Sequence, residues 1–248
     1  MTELRRSLIR PDWPAPNQVR AVTTTRHGGI SLPPYDSFNL GAHVGDAPER
    51  VAVNRQRLRQ VLELPAEPAW LNQVHGNRVV AAEQVTTSVE ADAAYTRQGG
   101  PVCVVMTADC LPILLCDRAG SGVAIAHGGW RGLADGIIGA TVARLDCVPG
   151  ELMAWLGPAI GPAAFAVGAE VRQAFLELDP GNAGCFQVSP GGRWLADIYE
   201  LARRQLRALG VMAVYGGGWC AFTDRERFFS YRRDGRTGRM ASLIWLVD

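Results

Sequence analysis

Three side chains of metal-binding type stand where apolar runs of the chain break into polar residues. His75 closes Trp70-Leu71-Asn72-Gln73-Val74 and precedes Gly76, His127 closes Gly122 to Ala126 and precedes Gly128-Gly129-Trp130-Arg131, and Cys110 follows Asp109 after the run Pro101 to Met106. Imidazole and thiolate are zinc ligands, and three protein ligands that leave a fourth position for water form the catalytic pattern rather than the structural one. The spacing is long, so the trio requires convergence in space. The bland alternative is that each residue is only packed or hydrogen-bonded at its strand end. Cys110 admits another chemistry, a thiol nucleophile activated by His127 in an amidohydrolase that acts on cell-wall precursors. A thiolate cannot serve both roles in one state, so metal content separates them.

The elements that must position these residues are legible as changes of period. The central stretch reads strand, polar tip, strand, polar tip, then a helix in which Leu133, Ile137, Ile138, Thr141, Val142 and Leu145 form one apolar stripe, its N-terminus aimed at the region of His127. Upstream, Gln18 to Thr24 reads as a strand, Leu32 to Gly41 as an ordered loop, Pro48 to Leu64 as a helix and Val79 to Ala82 as a strand. Downstream come a buried strand at Leu152 to Leu156, a helix at Gly168 to Leu178 and a surface excursion at Asp179 to Gly192. Asp197 caps a helix closed by Gly210, and strands follow at Val211 to Tyr215 and Met240 to Val247. Strands and helices mix without strict alternation and without repeats, which predicts one mixed α/β (α+β) domain of layered mixed sheets with flanking helices.

Composition narrows the function classes. With 248 residues, 48% hydrophobic, the chain can bury a full core, and a formal charge of +1 argues against nucleic acid as the main partner. Aromatics Phe228, Phe229 and Tyr231 do interleave with the arginines of Arg225 to Arg239, but the apolar strand that follows favours core packing over an RNA-binding surface. The N-terminus has no signal-peptide core and no run of about 20 apolar residues exists, so no membrane partner and a cytoplasmic location are expected. Six cysteines without a CxxC read as reduced thiols, five of them small buried hydrophobes and Cys110 the exception.

Six segments together resemble one family. NQVHG at Asn72 to Gly76, TADCLPILL at Thr107 to Leu115, AHGGWRG at Ala126 to Gly132, TTRHGGIS at Thr24 to Ser31, SFNLGAHVGD at Ser37 to Asp46 and FFSYRRDGRTGRMASLIW at Phe228 to Trp245 are similar to the YfiH family. Its members have been called laccase-like polyphenol oxidoreductases and, later, purine nucleoside phosphorylases with adenosine deaminase activity. The likeness spans nearly the whole chain in unbroken order. It implies a YfiH-like catalytic domain over residues 1–248, sheets packed in layers with helices outside, and His75, Cys110 and His127 as zinc ligands. One departure is visible: where the family commonly shows an aromatic-Glu-Val-Gly segment, this chain has Phe165-Ala166-Val167-Gly168.

The chemistry so implied is phosphorolysis of inosine, guanosine, adenosine or methylthioadenosine, and hydrolytic deamination of adenosine, with a purine nucleoside and phosphate as partners. Asp109 is the expected proton-handling residue, and capping a turn is its structural alternative. Arg26, Arg131, Arg232 and Arg233 are candidates to hold phosphate, because a guanidinium fork suits an oxyanion. Asn39 is a candidate to hydrogen-bond ribose or base. The older family name raises copper-dependent phenol oxidation, yet a laccase needs on the order of ten histidines, many in HxH pairs. This chain has four, His27, His43, His75 and His127, and no HxH; a single copper at the trio remains compatible with the ligand types. The oligomeric state stays open.

Overall fold

A strand covered on both faces is apolar at every position rather than at alternate ones, and the central stretch folds into three such strands. The structure is a computed structural model that describes residues 2–189 and 191–247, residues 2 and 3 by their backbone alone. In chain order, α1 (Thr2–Ser7) and β1 (Val19–Thr23) lead to α2 (Pro48–Leu62), which places Pro48 in its first turn, where the missing N–H leaves nothing unpaired. Four short strands follow, β2 (Leu71–Asn72), β3 (Val79–Ala81), β4 (Val89–Glu90) and β5 (Ala93–Thr96). Then come the buried strands β6 (Val102–Thr107), β7 (Leu111–Asp117) and β8 (Val123–Gly128), and the helices α3 (Trp130–Ala134) and α4 (Ile137–Arg144). The rest comprises β9 (Leu152–Leu156), β10 (Ala166–Val167), α5 (Ala169–Leu178), β11 (Phe186–Ser189), β12 (Arg193–Ala196), α6 (Ile198–Ala208), β13 (Ala213–Gly216), α7 (Tyr231–Asp234) and β14 (Met240–Leu246).

Two sheets carry the core. The larger runs β13-β9-β7-β8-β5-β3 and mixes parallel and antiparallel pairs; the smaller runs β1-β14-β6 and is antiparallel. Alternate residues of β7 divide between two cores: Ile113 and Leu115 pack with Ile137, Val142, Leu201 and Leu206 of the helices, whereas Leu114 and Cys116 pack with Cys103, Val105 and Ile244 of the small sheet. The outer face of the small sheet, with Val22, Val104 and Leu243, is covered by Leu58 and Val61 of α2 and by Phe38 and Leu40 of the preceding loop. The order of layers is therefore helix and loop, small sheet, large sheet, helices. Each fully buried Leu, Ile or Phe contributes roughly 1.5–3 kcal/mol against solvent exposure. Among the described residues no helix is long and apolar enough to cross a membrane.

Several expectations change in detail. The helix after His127 is two helices, broken where Gly136 adopts φ 84°. The segment Leu111–Asp117 is a separate strand, so Cys110 immediately precedes a strand rather than ending one, and His127 lies inside β8. The excursion at Asp179 to Gly192 contains a 3-10 turn and β11, which pairs with β12 beside β10 in a small sheet of its own. All six cysteines are free thiols, but only Cys103, Cys116 and Cys185 are fully buried; Cys147 and Cys220 are half-buried. Phe228 and Phe229 are buried with Met240 and Ala221, so those aromatics are core and not a base-stacking platform.

The loop from Gly29 to Gly41 is not a loose surface segment. Asn54 of α2, fully buried, accepts from the Ile30 N–H (3.0 Å) and donates to Ser31 Oγ and the Asn39 carbonyl (both 2.9 Å). Gly29 allows the fold-back, since a Cβ there would lie 2.1 Å from the Ser37 carbonyl oxygen. Asn54→Ala is expected to lower unfolding free energy by about 2–4 kcal/mol, because it strands buried partners without exposing them to water. A urea midpoint within error of the wild type would show that the loop is held by apolar packing alone.

Candidate metal centre

Residues 107–111 cross from the small sheet to the large one, because β6 and β7 belong to different sheets. The crossing is tight: Asp109 takes φ 97°, a conformation costly for any residue with a Cβ, and its carbonyl accepts from Ile160 N–H at 2.9 Å. This presents Cys110 at the seam between the sheets. His127 reaches the same point from β8, and His75 from the turn after β2, itself at φ 63°. One ligand atom from each of His75, Cys110 and His127 lies within 4.8 Å of the others, and the two imidazole rings meet edge to face with centroids 4.8 Å apart.

Asp92 fixes two of the three. Its fully buried carboxylate accepts from His127 Nδ1–H (2.8 Å), from the N–H groups of Val74 (3.1 Å) and Gly76 (2.8 Å), and from His75 N–H (2.9 Å). Its backbone carbonyl accepts from His127 N–H at 2.7 Å. Holding Nδ1 sets the tautomer of His127 and aims Nε2 at the cluster, the usual outer-shell arrangement around a metal ligand. Sequence reading assigned Asp92 no role. The available signal was a lone carboxylate within Ala91-Asp92-Ala93-Ala94, where burial is affordable only with partners.

Small residues let the three side chains approach. A Cβ on Gly129 would fall 2.8 Å from the His75 ring, 3.4 Å from Cys110 Sγ and 3.6 Å from His127 Cε1, and one on Gly132 would fall 2.8 Å from the Gly76 carbonyl. The helix after this glycine pair, α3, has only five residues, so an extended helix dipole is not what faces the cluster. Electrostatics couple the ligands. Burial pushes the Cys110 thiol up, but the adjoining His127 and His75 outweigh it and bring it to about 6. Burial pulls His127 down, and the Cys110 thiolate and Asp92 carboxylate outweigh that and raise it to about 9. Burial also raises Asp92, yet its bonds from His127, Gly76 and Val74 keep it below the usual carboxylate range.

A cavity of about 230 Å³ opens beside the cluster, walled by apolar Trp130, Ile160, Phe165 and Ile198, with Asp109, Arg131, Tyr231 and Arg232 among its polar and mixed groups. Asp109 Oδ2 accepts from Arg232 N–H at 2.7 Å, while Oδ1 is buried with no partner among the described residues; burial raises the carboxyl pKa, and the bond from Arg232 offsets part of it. Arg131 is exposed over the Trp130 ring, 4.5 Å from its centroid, and Arg232 donates to the Ala166 carbonyl. The other three candidate substrate contacts do not line this cavity. Arg26 is engaged with Asp36 and the Arg225 carbonyl, and Arg233 with the carbonyls of Ala221, Phe222 and Phe228. Asn39 is fully buried: its Oδ1 accepts from Gly41 and Arg239 N–H, and its Nδ2 donates to Asp46 and the Gly41 carbonyl.

Comparison with known proteins gives consistent likenesses. Residues 20–247 match the family described as multi-copper polyphenol oxidoreductase laccase. The chain is 54% identical over 241 residues to purine nucleoside phosphorylase YfiH of Escherichia coli K12, covering 97% of this chain and 99% of that one. It is 55% identical to a purine nucleoside phosphorylase of Pseudomonas aeruginosa, covering 97% and 98%. A crystal structure of a Neisseria meningitidis protein superposes with TM-score 0.95 at 51% identity, covering 98% of this chain and all of that one, and YlmD of Geobacillus stearothermophilus with TM-score 0.91 at 33% identity, covering 98% and 97%.

Two measurements test the arrangement around the cluster. Asp92→Asn is expected to weaken zinc binding by about 10- to 100-fold in chelator competition, since the neutral amide no longer supports the His127 tautomer. Unchanged affinity would mean that Asp92 serves the fold alone. With Cys110 near 6 and His127 near 9, the metal-free pair between those values is thiolate and imidazolium. Zinc needs His127 neutral, so loading at pH 7.5 is expected to release about one proton, and further protons as pH falls below 6 and Cys110 protonates. Calorimetry in two buffers of different ionisation enthalpy reads that number directly; release near zero at pH 7.5 contradicts the pairing.

Proposed function

The chain belongs to the YfiH, laccase-like family, and from that premise we propose that it is a purine nucleoside phosphorylase whose metal is held by His75, Cys110 and His127. The observation that carries this reading is the pairing, in one cavity, of the three-ligand cluster with Asp109 Oδ1, a buried carboxylate oxygen without a partner among the described residues. The donor set, two imidazoles and a thiolate whose atoms lie within 4.8 Å of one another, fits zinc, and Gly129 leaves space between them. When bound, zinc supplies Lewis-acid polarisation of an oxygen in the fourth position.

The protein's own groups divide the remaining work. Trp130, Ile160, Phe165 and Ile198 give the purine an apolar slot, and Asp109, its pKa raised by burial, retains a proton closer to neutral pH than a free carboxyl would. As a phosphate oxygen bonds to C1′, the C1′–N9 bond breaks with its electron pair going to the base, and Asp109 Oδ1 donates its proton to the ring nitrogen of that leaving base. The products are the free purine and ribose 1-phosphate. The same slot supports inosine, guanosine, adenosine and methylthioadenosine. Hydrolytic deamination of adenosine is the second reaction of this reading: water adds at C6, ammonia leaves, and Asp109 carries the proton between them. A multicopper centre lacks ligands, because the two remaining histidines, His27 and His43, are exposed and outside the cluster. A single copper would fit the trio, and a Cys110 nucleophile would require it empty.

Metal analysis combined with turnover of inosine and adenosine in phosphate buffer tests this directly. About one zinc per chain is expected, lost together with activity in Cys110→Ala. Asp109→Asn is expected to keep the metal and lose about 10²- to 10⁴-fold in kcat. Metal-free protein that turns over at full rate through Cys110 would replace this reading with the thiol nucleophile.

A further inference from the structure

A second hollow, of about 480 Å³, lies along the same two chain segments that supply His75 and Cys110, and its lining includes His43, Arg55, Trp70, Asn72, Ser88 and Met106. Its cations are unusually short of counter-charge. Arg55 stacks on Trp70, Cζ 3.8 Å from the ring centroid, and donates Nε–H and Nη2–H to the Leu40 carbonyl at 3.0 and 2.9 Å, which leaves Nη1 unengaged. The carboxylate at this hollow, Glu67, already accepts from Trp70 Nε1–H (2.7 Å) and pairs with Arg59 (3.1 Å). Neither Arg55 nor Arg239 forms a salt bridge among the described residues; Arg239 Nη1–H donates to the carbonyls of Thr237 and Gly238 (both 3.0 Å), and its Nε and Nη2 have no hydrogen-bond partner among the described residues.

Arg239 connects this hollow to the metal cluster. It precedes Met240, which pairs with Thr107, so it stands across from Ala108 at the start of the Asp109–Cys110 crossing. Its guanidinium lies 5.8 Å from the ring of Tyr231, a wall of the first cavity. Asn39 Oδ1 accepts from both Arg239 N–H and Gly41 N–H at 2.9 Å, and a Cβ on Gly41 would lie 2.8 Å from Arg239 Cγ. Asn39 thereby locks Arg239 against the loop that carries His43. Partial burial lowers the His43 pKa, and the charges of Arg239 and then Arg55 lower it further.

We propose that His43, Arg55 and Arg239 form the subsite for inorganic phosphate, the second substrate. The proposal rests on the phosphorylase reading above. Three N–H donors from three separate segments suit a tetrahedral oxyanion, and because the carboxylate at this hollow, Glu67, is already engaged with Trp70 and Arg59, an added anion offsets the repulsion among them. Arg239 ties the subsite to the apolar cavity that takes the base: its guanidinium lies 5.8 Å from the Tyr231 ring of that cavity, while its backbone and stem pack against Asn39 and Gly41 beside the loop that carries His43. Asn39 is a positioning residue here, acting on phosphate through Arg239 and His43.

The test uses the metal-loaded full chain. Inorganic phosphate is titrated by calorimetry into wild type, His43→Gln and Arg55→Lys, and phosphorolysis is measured against phosphate and against inosine. His43 is exposed and makes no hydrogen bond among the described residues, so its variant folds without obvious penalty, and Arg55→Lys keeps the charge but loses the fork. Phosphate Kd and KM are expected to rise about tenfold or more in both variants, with KM for inosine and zinc content within about twofold of wild type. Variants that bind phosphate as tightly as wild type, while wild type phosphorolyses inosine, overturn the subsite and leave the phosphorylase reading standing. Phosphate binding that is lost in the variants, in a wild type that cleaves no nucleoside, supports the anion site and removes the phosphorylase reading instead. A wild type that binds no phosphate overturns the subsite outright.

Discussion

One buried carboxylate holds the site together. Asp92 accepts three backbone N–H bonds from the turn that carries His75 and a fourth bond from the ring of His127, so a single charge fixes one ligand through its backbone and another through its tautomer. Charge-assisted bonds of this kind are about twice as strong as neutral ones, and they must be, because an isolated carboxylate this deep would protonate or open the fold. Asp92 precedes β5, whose first residue, Ala93, pairs with Ala126 immediately before His127. Sheet register and the carboxylate therefore place the same histidine twice.

Cys110 is placed by a different constraint. Its position depends on the chain leaving β6 in the small sheet and entering β7 in the large one within three residues, a crossing that forces Asp109 to φ 97°. The strain is retained because both flanking strands are fully buried and cannot slide. It turns the Asp109 carboxylate into the cavity, with one oxygen unpartnered among the described residues.

The arginines show how little residue type alone decides. Four of those discussed, Arg26, Arg131, Arg232 and Arg233, lie in glycine-rich or aromatic segments with equal claim on an oxyanion. Arg26 and Arg233 are consumed by backbone carbonyls that hold loops in place. Arg131 and Arg232 reach the apolar cavity, and Arg239, near the Tyr231 ring of that cavity, donates from its guanidinium only Nη1–H, to the carbonyls of Thr237 and Gly238. Arg55, which sequence period places in a helical stripe, lies flat on Trp70 beside a polar hollow. Hydrogen-bond satisfaction separates structural guanidinium groups from those still able to bind, and it is a property of the folded surroundings.

The amino-acid sequence by itself determined the class of fold and most strand and helix positions, and it singled out the three side chains that converge, whose motif context is carried by local residues: His before Gly twice, and Cys after Asp between apolar runs. It also determined that a multicopper centre has too few histidines. Only the tertiary structure decided that β6 and β7 part into different sheets, that the helix after His127 breaks at Gly136, that Asn39 is an internal staple and that Asp92 supports the cluster. The physical reason is range. Periodicity, caps and turn residues act over a few positions and are written locally, whereas a hydrogen bond from His127 to Asp92, or from Arg239 to Asn39, joins residues 35 and 200 positions apart. Which donor meets which acceptor across such distances is settled by how the layers pack, because burial makes every unpaired polar group costly and leaves few arrangements that satisfy them all.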